Sequence, residues 1–108
     1  MMNNIAIVGG GLEYYNLVDS VLQQMIEEKQ VYLFDVLCGG PDTIGAIWAI
    51  NNGLPYYLIE GKTPEQKQKN LLRKSDFIIF LLNDSNQPLK NFMMEYKMTG
   101  KHGTVLKI

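Results

Sequence analysis

The chain is poor in the residues from which most small-protein chemistry is built. It has one cysteine, which cannot make an internal disulfide, so nothing in it calls for an oxidising compartment. Its one histidine, His102, has no cysteine or acid close by in sequence to suggest a metal cluster or a catalytic triad, and a surface loop is the expected place for it. Ten basic residues against eleven acidic ones leave a formal charge of −1, which gives no general attraction to nucleic acid or to an anionic membrane. Long hydrophobic runs are missing too. Near the N-terminus Ile5-Ala6-Ile7-Val8 is only four residues with no basic segment before it, so neither a signal peptide nor a membrane span is expected, and the expected compartment is the cytoplasm. There is no repeat, low-complexity stretch or linker, and 108 residues make a single domain over 1–108.

What is present alternates regularly. Asn4-Ile5-Ala6-Ile7-Val8 is an apolar run ended by Gly9-Gly10-Gly11, the profile of a strand covered on both faces. Tyr14 or Tyr15, Val18, Val21, Leu22, Met25 and Ile26 then recur at helical spacing. Residues 31–38 read as a second strand, with Asp35 marking where a shorter one, 36–38, would begin. A helix over 42–52 follows, with Asp42 as N-cap, Ile44, Ile47, Trp48 and Ile50 turned to the core, and Gly53 and Pro55 as its stop. Tyr56-Tyr57-Leu58-Ile59 is a third strand. Thr63-Pro64-Glu65-Gln66 is a capping box that opens a third helix, one with only Leu71 and Leu72 firmly apolar. Residues 76–82, the most hydrophobic run, belong mid-sheet; a helix with Leu89, Phe92, Met93 and Tyr96 on one face and a last strand over 104–108 complete the chain. Five strands alternating with four helices predict an α/β fold: an open parallel sheet, helices on both faces, right-handed crossovers.

In such a sheet ligands bind beyond the carboxyl ends of the strands. Three loops share that end: residues 9–15, 38–42 and 83–87. The junction Leu37-Cys38-Gly39-Gly40-Pro41-Asp42 carries the most chemistry. Two glycines open the backbone to a ligand, the new helix's first N–H groups favour an anion, and Asp42 suits a ribose hydroxyl beside it. The candidate binding residues are Gly9, Gly10, Gly11, Glu13, Tyr14, Cys38, Gly39, Gly40, Asp42, Asn83 and Ser85. Cys38 reads as a small buried hydrophobe, with a reactive thiol as the alternative. Lys62, Lys67, Lys69, Arg73 and Lys74 cluster around the third helix, either as a solvated face or as steering for a phosphate.

The order Ile7-Val8-Gly9-Gly10-Gly11, Leu37-Cys38-Gly39-Gly40 with Asp42 and Trp48-Ala49, Asn52-Gly53-Leu54-Pro55 and Ser75-Asp76-Phe77-Ile78-Ile79-Phe80 resembles the SLOG superfamily of Rossmann-like nucleotide-binding domains, which includes the SMF and LOG proteins. The likeness covers nearly the whole chain and is to the small stand-alone members of phage and bacterial genomes. It implies a five-stranded parallel sheet of order 3-2-1-4-5 and a nucleotide-like small-molecule ligand at the ends of the first, second and fourth strands. Gly9-Gly10-Gly11 stands where relatives carry an arginine, and the Pro-Gly-Gly-x-Gly-Thr-x-x-Glu motif of the LOG enzymes is absent.

Other motifs exclude more than they admit. Gly9-x-Gly11-x-x-Tyr14 lacks the third glycine of the dinucleotide fingerprint and no acid ends the second strand, so NAD is not expected. Gly40-Pro41-Asp42-Thr43-Ile44-Gly45 continues Ala46-Ile47 instead of lysine and serine or threonine, which excludes ATP hydrolysis of the P-loop type. No cofactor, metal ligand or catalytic residue is expected. Three readings stand: a nucleotide-binding module without catalysis, a LOG-type N-glycosidic hydrolase drawing on Glu13 and Asp42, and an interaction protein with a decayed pocket. A homodimer through the helix carrying Phe92-Met93-Met94-Glu95-Tyr96 is a further expectation.

Overall fold

Five parallel strands form one sheet of order β3-β2-β1-β4-β5 in a computed structural model that describes residues 4–28 and 34–108. The strands are β1 (Asn4–Gly9), β2 (Asp35–Cys38), β3 (Tyr56–Leu58), β4 (Phe77–Leu82) and β5 (His102–Lys107). The helices are α1 (Tyr15–Glu27), entered through a 3-10 turn at Leu12–Tyr14, α2 (Ile44–Asn51), α3 (Pro64–Lys74) and α4 (Gln87–Lys97). The architecture, class and strand order are those the sequence implied. The expected second strand begins in residues 31–33, which lie outside the described residues; β2 itself starts at Asp35, one residue before the shorter alternative.

Alternation along β1 divides the interior into two layers. Ile5 points to the side where Val18, Leu22, Val36, Trp48 and Ile79 form one core, whereas Ala6 points to the side of Leu37, Ile78, Phe80, Phe92 and Tyr96. Helices α1 and α2 supply the first layer and α3 and α4 the second. All six residues of β4 are buried, as its unbroken apolar run requires of a central strand.

α3 begins as its local signals dictate. The Thr63 hydroxyl accepts from the Gln66 N–H at 3.2 Å, Pro64 occupies the first turn, and the Gln66 side chain accepts from the Lys62 N–H at 2.9 Å. At its other end the Lys101 ammonium donates to the carbonyls of Leu72 and Arg73 at 2.7 and 3.0 Å, covering acceptors that have no partner within the helix. None of its residues is buried. α4 is capped by the Asn86 side chain, which accepts from the Leu89 N–H at 3.2 Å.

Three expectations are corrected. Thr43, not Asp42, is the N-cap of α2, because the Gly40-Pro41-Asp42-Thr43 segment closes as a turn through Thr43 N–H to Gly40 O at 3.4 Å, and proline favours its second position. Ile50 is 59% exposed rather than core. His102 opens β5 instead of lying in a loop, since the β4 ladder extends to pair Phe77 with His102. On α4 the expected stripe buries Leu89, Phe92 and Tyr96, and Met94 together with Met98, just past the helix end, is exposed. Among the described residues no helix is long and apolar enough to cross a membrane.

Candidate functional site

The chain leaves β1 toward β2 and returns from β3 to β4 on the other side of β1, so connections diverge above β1 and β4. That is where an open α/β sheet leaves a crevice at the carboxyl ends of its strands. A cleft of about 600 Å³ occupies this end, within the range of small-molecule sites. β1 and its loop contribute Val8, Gly9, Gly10 and Gly11; β2 and its loop contribute Cys38, Gly39, Asp42 and Thr43. Lys67, Gln68 and Leu71 of α3 form one wall, and Asn86, Leu89 and Phe92 of the α4 side form the other.

A second cleft of about 480 Å³ lies beside it and shares Gly10, Asn86 and Pro88. Glu13, Tyr14, Asn83 and Ser85 line this smaller cleft. The expected site residues are therefore divided between two neighbouring depressions. Six of them, Gly9, Gly10, Gly11, Cys38, Gly39 and Asp42, border the larger one, and Gly10 joins the two. Gly40 borders neither. Glu13 and Asp42, the two acids considered for glycosidic hydrolysis, border different clefts.

The glycines differ in what they do. Gly9 and Gly10 have φ of 89° and 68°, in the left-handed region that favours glycine. A Cβ on Gly9 would lie 2.5 Å from the Leu81 carbonyl oxygen, and one on Gly10 would lie 2.7 Å from the Leu81 side chain. These two are demanded by the turn and by the packing of β1 on β4. Gly39 is the opposite case. Its φ is not in the left-handed region, and a Cβ there would meet nothing within 4 Å. Gly40 is intermediate, with Asp42 Oδ1 at 3.1 Å from such a Cβ.

Local bonds hold the β2–α2 loop. Thr43 does not cap α2 with its side chain; its hydroxyl donates to the Gly40 carbonyl at 2.8 Å. The first N–H groups of α2 are thus without a side-chain cap, at a helix start whose Ile44 borders the cleft. Cys38 is buried and its thiol donates to the Tyr57 carbonyl at 3.7 Å. Burial pushes this thiol up from its ordinary pKa, against the opposing effect of hydrogen bonds with the Thr43 side chain and the Gly40 backbone. A thiol held protonated is a poor nucleophile at neutral pH, which supports the small-hydrophobe reading. In the third loop Asn83 is engaged in its own turn, its Oδ1 accepting from the N–H and the hydroxyl of Ser85 at 3.0 and 2.8 Å.

Lys67, Gln68, Leu71, Leu89 and Phe92 were not among the expected binding residues. The signal for the first of them was the basic cluster around the third helix. For Leu71 and Phe92 sequence gave only helical apolar spacing, which does not distinguish core from cleft wall. Among the described residues no group of three or more His, Cys, Asp or Glu is placed to hold a metal ion. Compared with family models, curated proteins and solved structures, the chain has no match in any of the three.

Proposed function

We propose that this protein is a small-molecule binding module that holds a nucleotide or nucleotide-derived ligand at the carboxyl ends of β1, β2 and β4, without catalysis. The observation that carries the reading is Gly39. It borders the larger cleft, yet neither backbone conformation nor crowding by neighbours calls for a glycine there. The missing side chain leaves the backbone there open to a ligand. The uncapped start of α2 beside it offers N–H donors to an anion, and Asp42 offers an acceptor to a hydroxyl. The resemblance to the SLOG superfamily, carried by the glycine loops and Asp42, supports the same ligand class.

Calorimetry with a panel of nucleoside monophosphates, diphosphates and ADP-ribose derivatives tests it. At least one should give saturable heat with wild type, and Gly39→Val should abolish that heat while the melting temperature stays within a few degrees. No heat at millimolar ligand with any of the panel overturns the reading in favour of an interaction protein with a decayed pocket. Release of free base from a nucleoside monophosphate by wild type, slowed by Asp42→Asn more than binding is weakened, replaces it with the hydrolase.

A further inference from the structure

We propose that the inner part of the larger cleft is a slot for one flat ring, which enters between α3 and α4 and lays an apolar face against the sheet at Val8, while an anionic group of the same molecule stays at the mouth beside Lys67. This deepens the proposed function and rests on it in taking the ring to be a nucleobase; the slot itself rests on geometry alone.

Val8 is the first observation. It lies on the central strand, paired with Phe80 of the fully buried β4, and its side chain belongs to the layer covered by α3 and α4. A side chain so placed is ordinarily sealed by the helices above it, yet Val8 is only half-buried. The helix on this side, α3, packs loosely. That helix has no buried residue, and Leu71 and Leu72, its apolar contribution to this layer, are half-buried themselves.

Chemistry within the cleft is graded. Its inner surface is made by Ala6, Val8, Leu37, Leu71, Leu89 and Phe92, none of which has a polar side-chain atom. The polar side chains that border it sit elsewhere: Asp42 and Thr43 on the β2–α2 loop, Lys67 and Gln68 a turn above Leu71, and Asn86 at the start of α4. Among the described residues Lys67 is the one cation that lines it. A ligand that fits this order has at one end a flat ring that rests an apolar face on the floor, and an anionic group at the other. An apolar floor cannot strongly tell one base from another, because it offers no donor or acceptor to be left unpaired. The ring should therefore add affinity without selecting among bases.

The probes are 1-anilinonaphthalene-8-sulfonate, an aromatic monoanion with a flat naphthalene ring whose fluorescence rises in apolar surroundings, together with adenosine monophosphate and ribose 5-phosphate. Val8→Phe fills the slot from its floor and Leu71→Trp fills it from α3; circular dichroism and melting identify which plugged variants are folded. The folded wild type should bind one equivalent of the fluorescent probe, and either folded plugged variant should lose at least about tenfold in its affinity, the effect of withholding roughly 60 Å² of apolar surface from burial. Lys67→Glu should weaken the probe and both phosphates together. Adenosine monophosphate should bind wild type about tenfold more tightly than ribose 5-phosphate, by the same apolar term, and the plugged variants should erase that difference. Absence of probe binding by wild type, or probe binding unchanged in the folded plugged variants, overturns the slot even if nucleotides bind. Probe binding that follows these variants while no nucleotide gives heat upholds the slot and overturns the nucleotide reading.

Discussion

The Trp48 indole N–H donates to Asp19 Oδ1 at 2.8 Å and ties α2 to α1. The ring is fully buried and stacks on Phe34, with centroids 5.8 Å apart and planes 18° from parallel. The same Asp19 oxygen accepts from Gln23 Nε2 at 3.2 Å, Gln23 Nε2 also donates to Asn52 Oδ1 at 3.1 Å, and Asn52 Nδ2 donates to the Trp48 carbonyl at 2.8 Å. The polar atoms at the end of a buried aromatic side chain are thereby satisfied in a closed circuit. Asp19→Leu should leave the indole N–H without its partner and cost about 1–3 kcal/mol in urea unfolding, and Trp48→Ala should cost roughly 3–5 kcal/mol. Combining Asp19→Leu with Trp48→Phe should cost less than the sum of the two single changes, since donor and acceptor leave together.

Glycines at the two strand ends should respond in opposite ways. Gly10→Ala forces a Cβ against Leu81 at a positive φ and should destabilise by about 1–3 kcal/mol. Gly39→Ala, with open space around it, should stay within about 0.5 kcal/mol of wild type. Equal losses at both positions would show that Gly39 is structural, and would remove the observation on which nucleotide binding rests.

Alkaline stability should report Tyr96. Its ring is buried against Phe80, and its hydroxyl donates to the His102 carbonyl at 2.8 Å. Burial, the largest cause, pushes its pKa up to about 12; the Asp76 charge adds to this and a hydrogen bond with Ser75 opposes it. Above the ordinary tyrosine pKa of about 10 the unfolded chain releases this proton while the folded one keeps it. The contribution of this group is complete below about pH 10 and is lost as pH rises toward 12, with a slope of at most roughly 1.4 kcal/mol per pH unit. The measurement is the difference from Tyr96→Phe, whose stability should fall less steeply between pH 10 and 12.

Lys101 should hold α3 in place. Lys101→Met removes the donor to the Leu72 and Arg73 carbonyls and should lower global stability by about 0.5–1 kcal/mol. Because α3 has no buried side chain, amide exchange should accelerate more in 64–74 than in β4. Uniform acceleration would show that α3 opens only with the whole domain.

The elements of this fold were legible because the signals that make them are local. The runs around Ile5 and Phe77-Ile78-Ile79-Phe80-Leu81-Leu82 are continuous and apolar, as strands covered on both faces must be, and Thr63, Pro64 and Gln66 interact within one helical turn. α2 shows where that stops. Its sequence Ile44-Gly45-Ala46-Ile47-Trp48-Ala49-Ile50-Asn51 is apolar on nearly every side, so it has no polar face to set its rotation. Packing of Trp48 on Phe34 and close approach of Gly45 to Val36 and Ile7 set it instead, and Ile50 turns to water.

For the site, sequence by itself determined which loops gather at the carboxyl end, because parallel strand direction follows from alternating βα units, whereas the order 3-2-1-4-5 was implied only by the family resemblance. Only the tertiary structure decided that Glu13 and Asp42 border separate clefts, that Lys67 stands beside the larger one, and that α3 leaves Val8 half-covered. Each of these depends on how far apart two helices sit above a sheet. That distance is fixed by many side chains from distant parts of the chain packing at once, and no local pattern records it.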